Sequence, residues 1–167
     1  MHAMQIASIP CERWKNGGGT TRVLASSGDD WRVSLAEVEA HGPYSSFDGQ
    51  MRTSMIVRGN GVTLRDGERL VTLAPFEVVS YDGATPWRAT LVNGPVSSLN
   101  VMSRTERYRV HMSVLSSAVS IEAPCTAIVV AFDEGHFAVH DVRSPLRVTP
   151  PIENRSDQLC VLITIRG

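Results

Sequence analysis

Apolar positions in this 167-residue chain come in short runs rich in valine, leucine, threonine and isoleucine, cut at close intervals by turn signals. GPYSSFDG occupies 42–49, RGNG 58–61, RDGE 65–68, YDG 81–83 and NGP 93–95. The runs between them are too short for most helices, and no window of eleven or more residues holds a 3.6-residue period. Residues 107–114 alternate cleanly: Tyr108, Val110, Met112 and Val114 share one face, and Arg107, Arg109, His111 and Ser113 take the other. Residues 61–65 and 68–73 flank Asp66 and Gly67, a hairpin signal because the turn needs positive φ. Only 34–40 (SLAEVEA) has helical composition, and it continues Trp31–Val33 in a way that also reads as strand. The pattern predicts an all-β protein.

Stretches 54–77 and 127–153 resemble each other. Each reads as an apolar strand, a glycine turn, a second strand, a polar turn, then a strand ending at proline. The same pattern fits any two β-meanders, or two barrel-like halves built on one scheme. No linker composition separates them. The expectation is one domain over 1–167, with halves of about 1–105 and 106–167 sharing an interface.

Composition narrows the function classes. Net charge is −1, and the arginines are spread along the chain, so nucleic acid is not an expected partner. Fifteen of the sixteen basic side chains are arginine and Lys15 is the one lysine, which a genome-composition bias explains. Cys11, Cys125 and Cys160 are odd in number and widely spaced, which fits neither a disulfide framework nor a CxxC site. The first residues lack a charged region followed by an apolar core, and no apolar run approaches the ~20 residues that span a bilayer. A cytoplasmic, reducing setting is expected, with no membrane partner.

RWKNGGGTTR at 13–22 is the most unusual stretch. A phosphate loop needs its lysine after the glycines and a helix behind it, and both are missing. The five histidines are His2, His41, His111, His136 and His140. His136 and His140 sit roughly 13 Å apart on an extended chain, too far to share an ion. No metal and no cofactor is therefore expected. No G-x-S-x-G elbow occurs, and no histidine accompanies Cys11, so no catalytic residue is assigned. A polar pocket for a small anion remains. Trp14, Lys15 and Asn16 offer stacking surface, charge and a carboxamide, and the glycines let backbone approach a ligand. Arg52 follows a tight turn at a strand start. Asn100 and Met102 share one strand face, with Leu99 and Val101 on the other. Should the fold bring these together, Lys15 and Arg52 bind a carboxylate while Asn16 and Asn100 read polar groups.

The blocks W-K-N-G-G-G-x-T-R, W-R-x-S-x-A-E-V, G-P-Y-S-x-F and L-N-V-M before an arginine resemble the HutD/Ves family. They fall here at 14–22, 31–38, 42–47 and 99–104, within a likeness that covers roughly 5–105. The resemblance implies a cupin-type β-barrel or jelly roll, in a compact bicupin-like arrangement of two halves, that does not use the metal-binding cupin motifs. It implies a regulatory or ligand-sensing accessory of histidine utilisation, binding a small carboxylated metabolite of the urocanate or N-formylglutamate class. Carried over by motif, Trp14, Lys15, Asn16, Arg52 and Asn100 surround that pocket. Ser98 stands where the family commonly has aspartate, and Gln50-Met51 departs from the expected turn, leaving the register of Arg52 open. The alternative is a cupin-type isomerase, lyase or hydrolase in which Lys15 or Glu37 moves protons. A homodimer is expected from the fold class.

Overall fold

The computed structural model describes residues 3–104, 106–150 and 158–167. His2, Thr105 at the junction of the halves, and 151–153 at the end of the second repeat-like stretch lie outside the described residues. In chain order the strands are β1 (Met4–Gln5), β2 (Glu12–Arg13), β3 (Gly19–Ser27), β4 (Trp31–Val38), β5 (Gly42–Pro43) and β6 (Gln50–Arg58). Next come β7 (Val62–Asp66), β8 (Arg69–Leu73), β9 (Val78–Asp82), β10 (Arg88–Leu91) and β11 (Val96–Arg104). The chain ends with β12 (Arg109–Val114), β13 (Val119–Ile121), β14 (Cys125–Ala131), β15 (His136–Val142), β16 (Leu146–Val148) and β17 (Cys160–Arg166). One 3₁₀ turn, Ile6–Ser8, is the only helical element among the described residues. The ambiguous stretch 34–40 is strand as far as Val38.

The chain forms two compact units, Pro10–Glu106 and Met1–Ile9 with Arg107–Gly167. The first holds a six-stranded sheet in the order β2-β3-β4-β11-β6-β9 and a four-stranded sheet in the order β5-β10-β7-β8. The second holds a five-stranded sheet in the order β1-β15-β14-β17-β12 and the β13-β16 pair. Both are antiparallel, cupin-like β-sandwiches. The repeat-like stretches pair differently. In the second unit β14 and β15 form one hairpin, from Cys125↔Val142 to Ala131↔His136. In the first, β6 stays in the six-stranded sheet while β7 crosses to the other sheet, between β10 and β8. Gly67 has φ 57 in the predicted hairpin, where the Asp66↔Arg69 pair closes the turn.

Period-2 alternation sets the interior of the first unit. On β4, Trp31, Val33 and Leu35 point one way while Arg32, Ser34, Ala36 and Val38 point the other. The second face looks into the sandwich. At one end it is filled by an apolar cluster that includes Val38, Ile56, Leu64, Leu73 and Trp87. Toward the other end, the same sheet face carries Arg32, Ser34, Arg52, Asn100 and Met102. The sandwich therefore closes on hydrocarbon at one end and opens on polar groups at the other. In the second unit the core includes Ile121, Ala127, Val142, Val148 and Leu162. Met112 of β12 is buried as its alternation predicts, on the sheet face away from Leu162, while Val114 is exposed.

Candidate functional site

The polar end of the first unit forms a cavity of about 560 Å³. Trp14, Lys15, Asn16, Arg52, Asn100 and Met102 all line it. Sheet register accounts for three of them. Met102 pairs with Arg32 on β4 and with Arg52 on β6, which sets the two arginines on either side of Met102, on one face. Asn100 pairs likewise with Ser34 and Ser54. The Gln50-Met51 departure leaves this register intact, with Met51 opposite Ser103 and Arg52 opposite Met102.

Asn100 and Ser98 line the floor, and a chain of buried hydroxyls behind them ends on the Asn100 amide. Ser54 Oγ lies 2.8 Å from the Tyr81 hydroxyl and donates to Asn100 Oδ1 at 2.7 Å. With the Ser54 proton so used, Tyr81 is the donor in the pair they share. Ser98 Oγ donates to the same Oδ1 at 2.9 Å, and Asn100 Nδ2 donates to the Ser98 carbonyl at 3.0 Å. The residue that departs from the family pattern thus orients Asn100 through both its side chain and its backbone.

One wall is an alternating stack of rings and guanidiniums. Residues 44–47 run across the sheet as a strap. The Tyr44 N–H donates to the Trp87 carbonyl at 2.8 Å and the Phe47 N–H to the Gly83 carbonyl at 2.7 Å. The Arg52 guanidinium sits 5.4 Å from the centroids of both Tyr44 and Phe47. Its Nη2 donates to the Ser45 carbonyl at 2.7 Å, while its Nε is buried without a hydrogen-bond partner. The Arg32 guanidinium lies 6.0 Å from the Phe47 centroid, and Trp14 meets Tyr44 edge-on at a centroid distance of 6.0 Å.

Burial, then the neighbouring Tyr81, push the Tyr44 phenol well above its ordinary value of 10.0, with Arg52 pulling it partly back. A folded-state pKa above the unfolded one gives stability that is complete below pH 10 and is lost as pH rises through the folded value. Tyr44→Phe is therefore expected to flatten the alkaline limb of the stability–pH curve, as measured by urea unfolding from neutral to high pH. An unchanged limb would count against this assignment.

Two expectations, those for the glycines and for Glu37, need correction, and Asn16 is held by its neighbours. Asn16 lines the cavity, but its carboxamide serves its own loop: Oδ1 accepts the Gly18 N–H at 2.9 Å, and Nδ2 reaches the Pro43 carbonyl at 3.4 Å. The glycines make room for chain, not ligand. Gly18 and Gly19 are buried, the Gly18 carbonyl accepts the Glu39 N–H at 2.9 Å, and a Cβ on Gly19 would run into the Glu37 carbonyl. Glu37 is not at the cavity. It lies on the opposite face of β4, where its Oε2 accepts the Ser97 hydroxyl at 2.6 Å. Trp14 and Lys15 stand at the rim, with Trp14 Nε1 donating to Thr21 Oγ1 at 2.8 Å and Lys15 exposed.

Arg32, Ser34, Tyr44, Phe47, Ser54 and Tyr81 were not singled out from sequence. Arg32 and Ser34 were legible as the polar positions alternating with Trp31 and Val33. Tyr44 and Phe47 lie in a stretch whose local pattern reads as a turn, and the signal available for them was their place in the G-P-Y-S-x-F block at 42–47. Among the described residues, no group of three or more His, Cys, Asp or Glu side chains is placed to hold a metal ion. His41 Nδ1 accepts the Leu91 N–H at 2.9 Å, and His136 lies 3.3 Å from Glu134. No helix among the described residues is long and apolar enough to cross a membrane.

Fold and cavity together define a cupin-like β-sandwich protein with a cationic, hydroxyl-floored interior. The HutD family model matches residues 6–160, and the chain belongs to the HutD family. It is similar to an uncharacterized 21.2 kDa protein in the hutC 3′ region of Pseudomonas putida, with 25% identity over 83% of this chain and 77% of that one. Protein Ves of Citrobacter koseri is 30% identical over 68% of this chain, which spans 63% of that protein. The structure of HutD from Pseudomonas fluorescens SBW25 superposes with a TM-score of 0.80 at 24% identity, covering 99% of each chain. The fold extends to protein YlbA of E. coli, with a TM-score of 0.70 at 6% identity over 98% of this chain and 90% of that one.

Proposed function

We propose that this HutD-family protein binds a small carboxylated metabolite of histidine breakdown, of the urocanate or N-formylglutamate class, and serves histidine utilisation as a cytoplasmic ligand-sensing accessory. The observation that carries the reading is the convergence of Arg32 and Arg52 on one cavity, with Lys15 at its rim. A carboxylate entering there meets three cations and the remaining Asn100 N–H, and a planar or aliphatic body lies against Trp14 and Met102. The cavity volume suits a ligand of about a dozen heavy atoms, since small-molecule sites run from ~300 to ~1,000 Å³. The link to histidine utilisation rests on family membership and on the P. putida relative beside hutC. The rival enzymatic reading loses its carboxylate because Glu37 is turned to Ser97. Calorimetric titration with urocanate and with N-formylglutamate is expected to give saturable heat with at least one of them. Absence of heat with both overturns the reading.

A further inference from the structure

We infer that the cavity takes carboxylates that carry no ammonium group, namely deaminated or N-acylated amino acids, and turns away the free α-amino acids of the same skeleton. The inference rests on the carboxylate reading above and narrows it. An ammonium group brings three N–H donors and a positive charge, so a site that accepts it must supply acceptors or a carboxylate. Here the amide and carbonyl acceptors named below are engaged by the protein itself, and the lining otherwise adds only the neutral hydroxyls of residues such as Ser34, Ser45 and Tyr44. Asn100 Oδ1 receives both Ser54 and Ser98, which fills its two lone pairs. Asn16 Oδ1 receives the Gly18 N–H, and Thr21 Oγ1 receives the Trp14 indole. The Ser45 and Ser98 carbonyls receive Arg52 and Asn100.

What the cavity still offers is donors. Asn100 Nδ2 has a second N–H after its bond to Ser98, and Arg32 and Lys15 form no ion pair among the described residues. The only carboxylate among the lining residues is Glu12. It is exposed on β2 at the rim, next in sequence to the cation Arg13, itself 3.9 Å from Glu39. An entering ammonium would shed water beside like charges and meet only neutral hydroxyl oxygens, with no inward carboxylate to offset its charge. Acylation removes that charge and adds a carbonyl acceptor. Elimination of the amine removes the charge outright. Either change converts a rejected ligand into an accepted one without altering its carboxylate, so the discrimination comes from what the site withholds.

The test is calorimetric titration of the full wild-type chain at neutral pH with matched pairs: N-formylglutamate against glutamate, and urocanate against histidine, with glutarate as an amine-free control. In each pair the ammonium-free member is expected to bind at least ~10-fold more tightly, and glutarate is expected to side with N-formylglutamate. Glutamate or histidine binding within tenfold of its partner overturns the inference while leaving the carboxylate reading standing. Failure of N-formylglutamate, urocanate and glutarate alike overturns both. Asn100→Asp exchanges the free donor for an acceptor of the same shape and is expected to narrow the ratio. An unchanged ratio in a variant that melts like wild type would remove the discrimination from the cavity floor.

Discussion

Arg52→Ala is expected to weaken carboxylate binding by ~100-fold while the protein still folds, about 2 kcal/mol less stable. Two kinds of magnitude decide this. Removing one partner of a desolvated charge pair costs ~2–5 kcal/mol of affinity, and each ~1.4 kcal/mol is tenfold. For stability, the lost bond to the Ser45 carbonyl costs ~1.5–3 kcal/mol and the two ring contacts cost ~0.5–1 kcal/mol each. Against this, the truncation removes a buried Nε that has no partner, whose burial costs ~1–3 kcal/mol. The stability terms offset each other in part and leave a net cost of about 2 kcal/mol, whereas nothing offsets the affinity term. Titration with N-formylglutamate beside a thermal melt separates them. Arg52→Lys keeps the charge but not the planar faces gripped by Tyr44 and Phe47, so it should fall between wild type and alanine. An Arg52→Ala protein that binds as wild type would refute the assignment.

The second large effect lies in the run of three glycines. Gly19→Ala should destabilise the protein by ~3 kcal/mol, the upper end of ordinary overpacking. Its Cβ would stand against the Glu37 carbonyl of the neighbouring strand and 3.2 Å from the Trp14 ring. The carbonyl belongs to a sheet ladder and has nowhere to move, while displacing Trp14 disturbs the rim of the cavity. Gly17 has a different reason to be glycine: its φ is +73 and nothing lies within 4 Å of a Cβ. Gly17→Ala should therefore cost only ~1 kcal/mol of left-handed strain. Urea unfolding of the two variants gives the comparison, and equal midpoints would refute the distinction.

Much of the architecture was legible because local patterns carry it. The alternation in Trp31–Val38 and around Leu99–Met102 separates a buried apolar face from one bearing Asn100 and Met102, and the structure keeps that division. Arg52 was recoverable from its position at a strand start. What local pattern cannot supply is the partner across the sheet. Asn100 is oriented by Ser54, 46 positions away, and Arg32 and Arg52 become neighbours only through Met102 between them. The carboxamide of Asn16 shows the complementary limit. A local bond to Gly18, two residues on, competes with any ligand, and asparagine favours such turns. The repeat-like stretches show the same limit, since β6 and β14 read alike and yet β6 does not pair with the strand that follows it.

The ring–guanidinium stack has a kinetic consequence. A free arginine side chain carries ~2 kcal/mol of rotamer entropy, and a loose one would surrender much of it on meeting a ligand. Arg52, clamped between Tyr44 and Phe47 and tied to Ser45, has surrendered its share during folding. Encounter should then proceed without a slow ordering step, so ligands of different affinity are expected to arrive at similar rates and to differ in how long they stay.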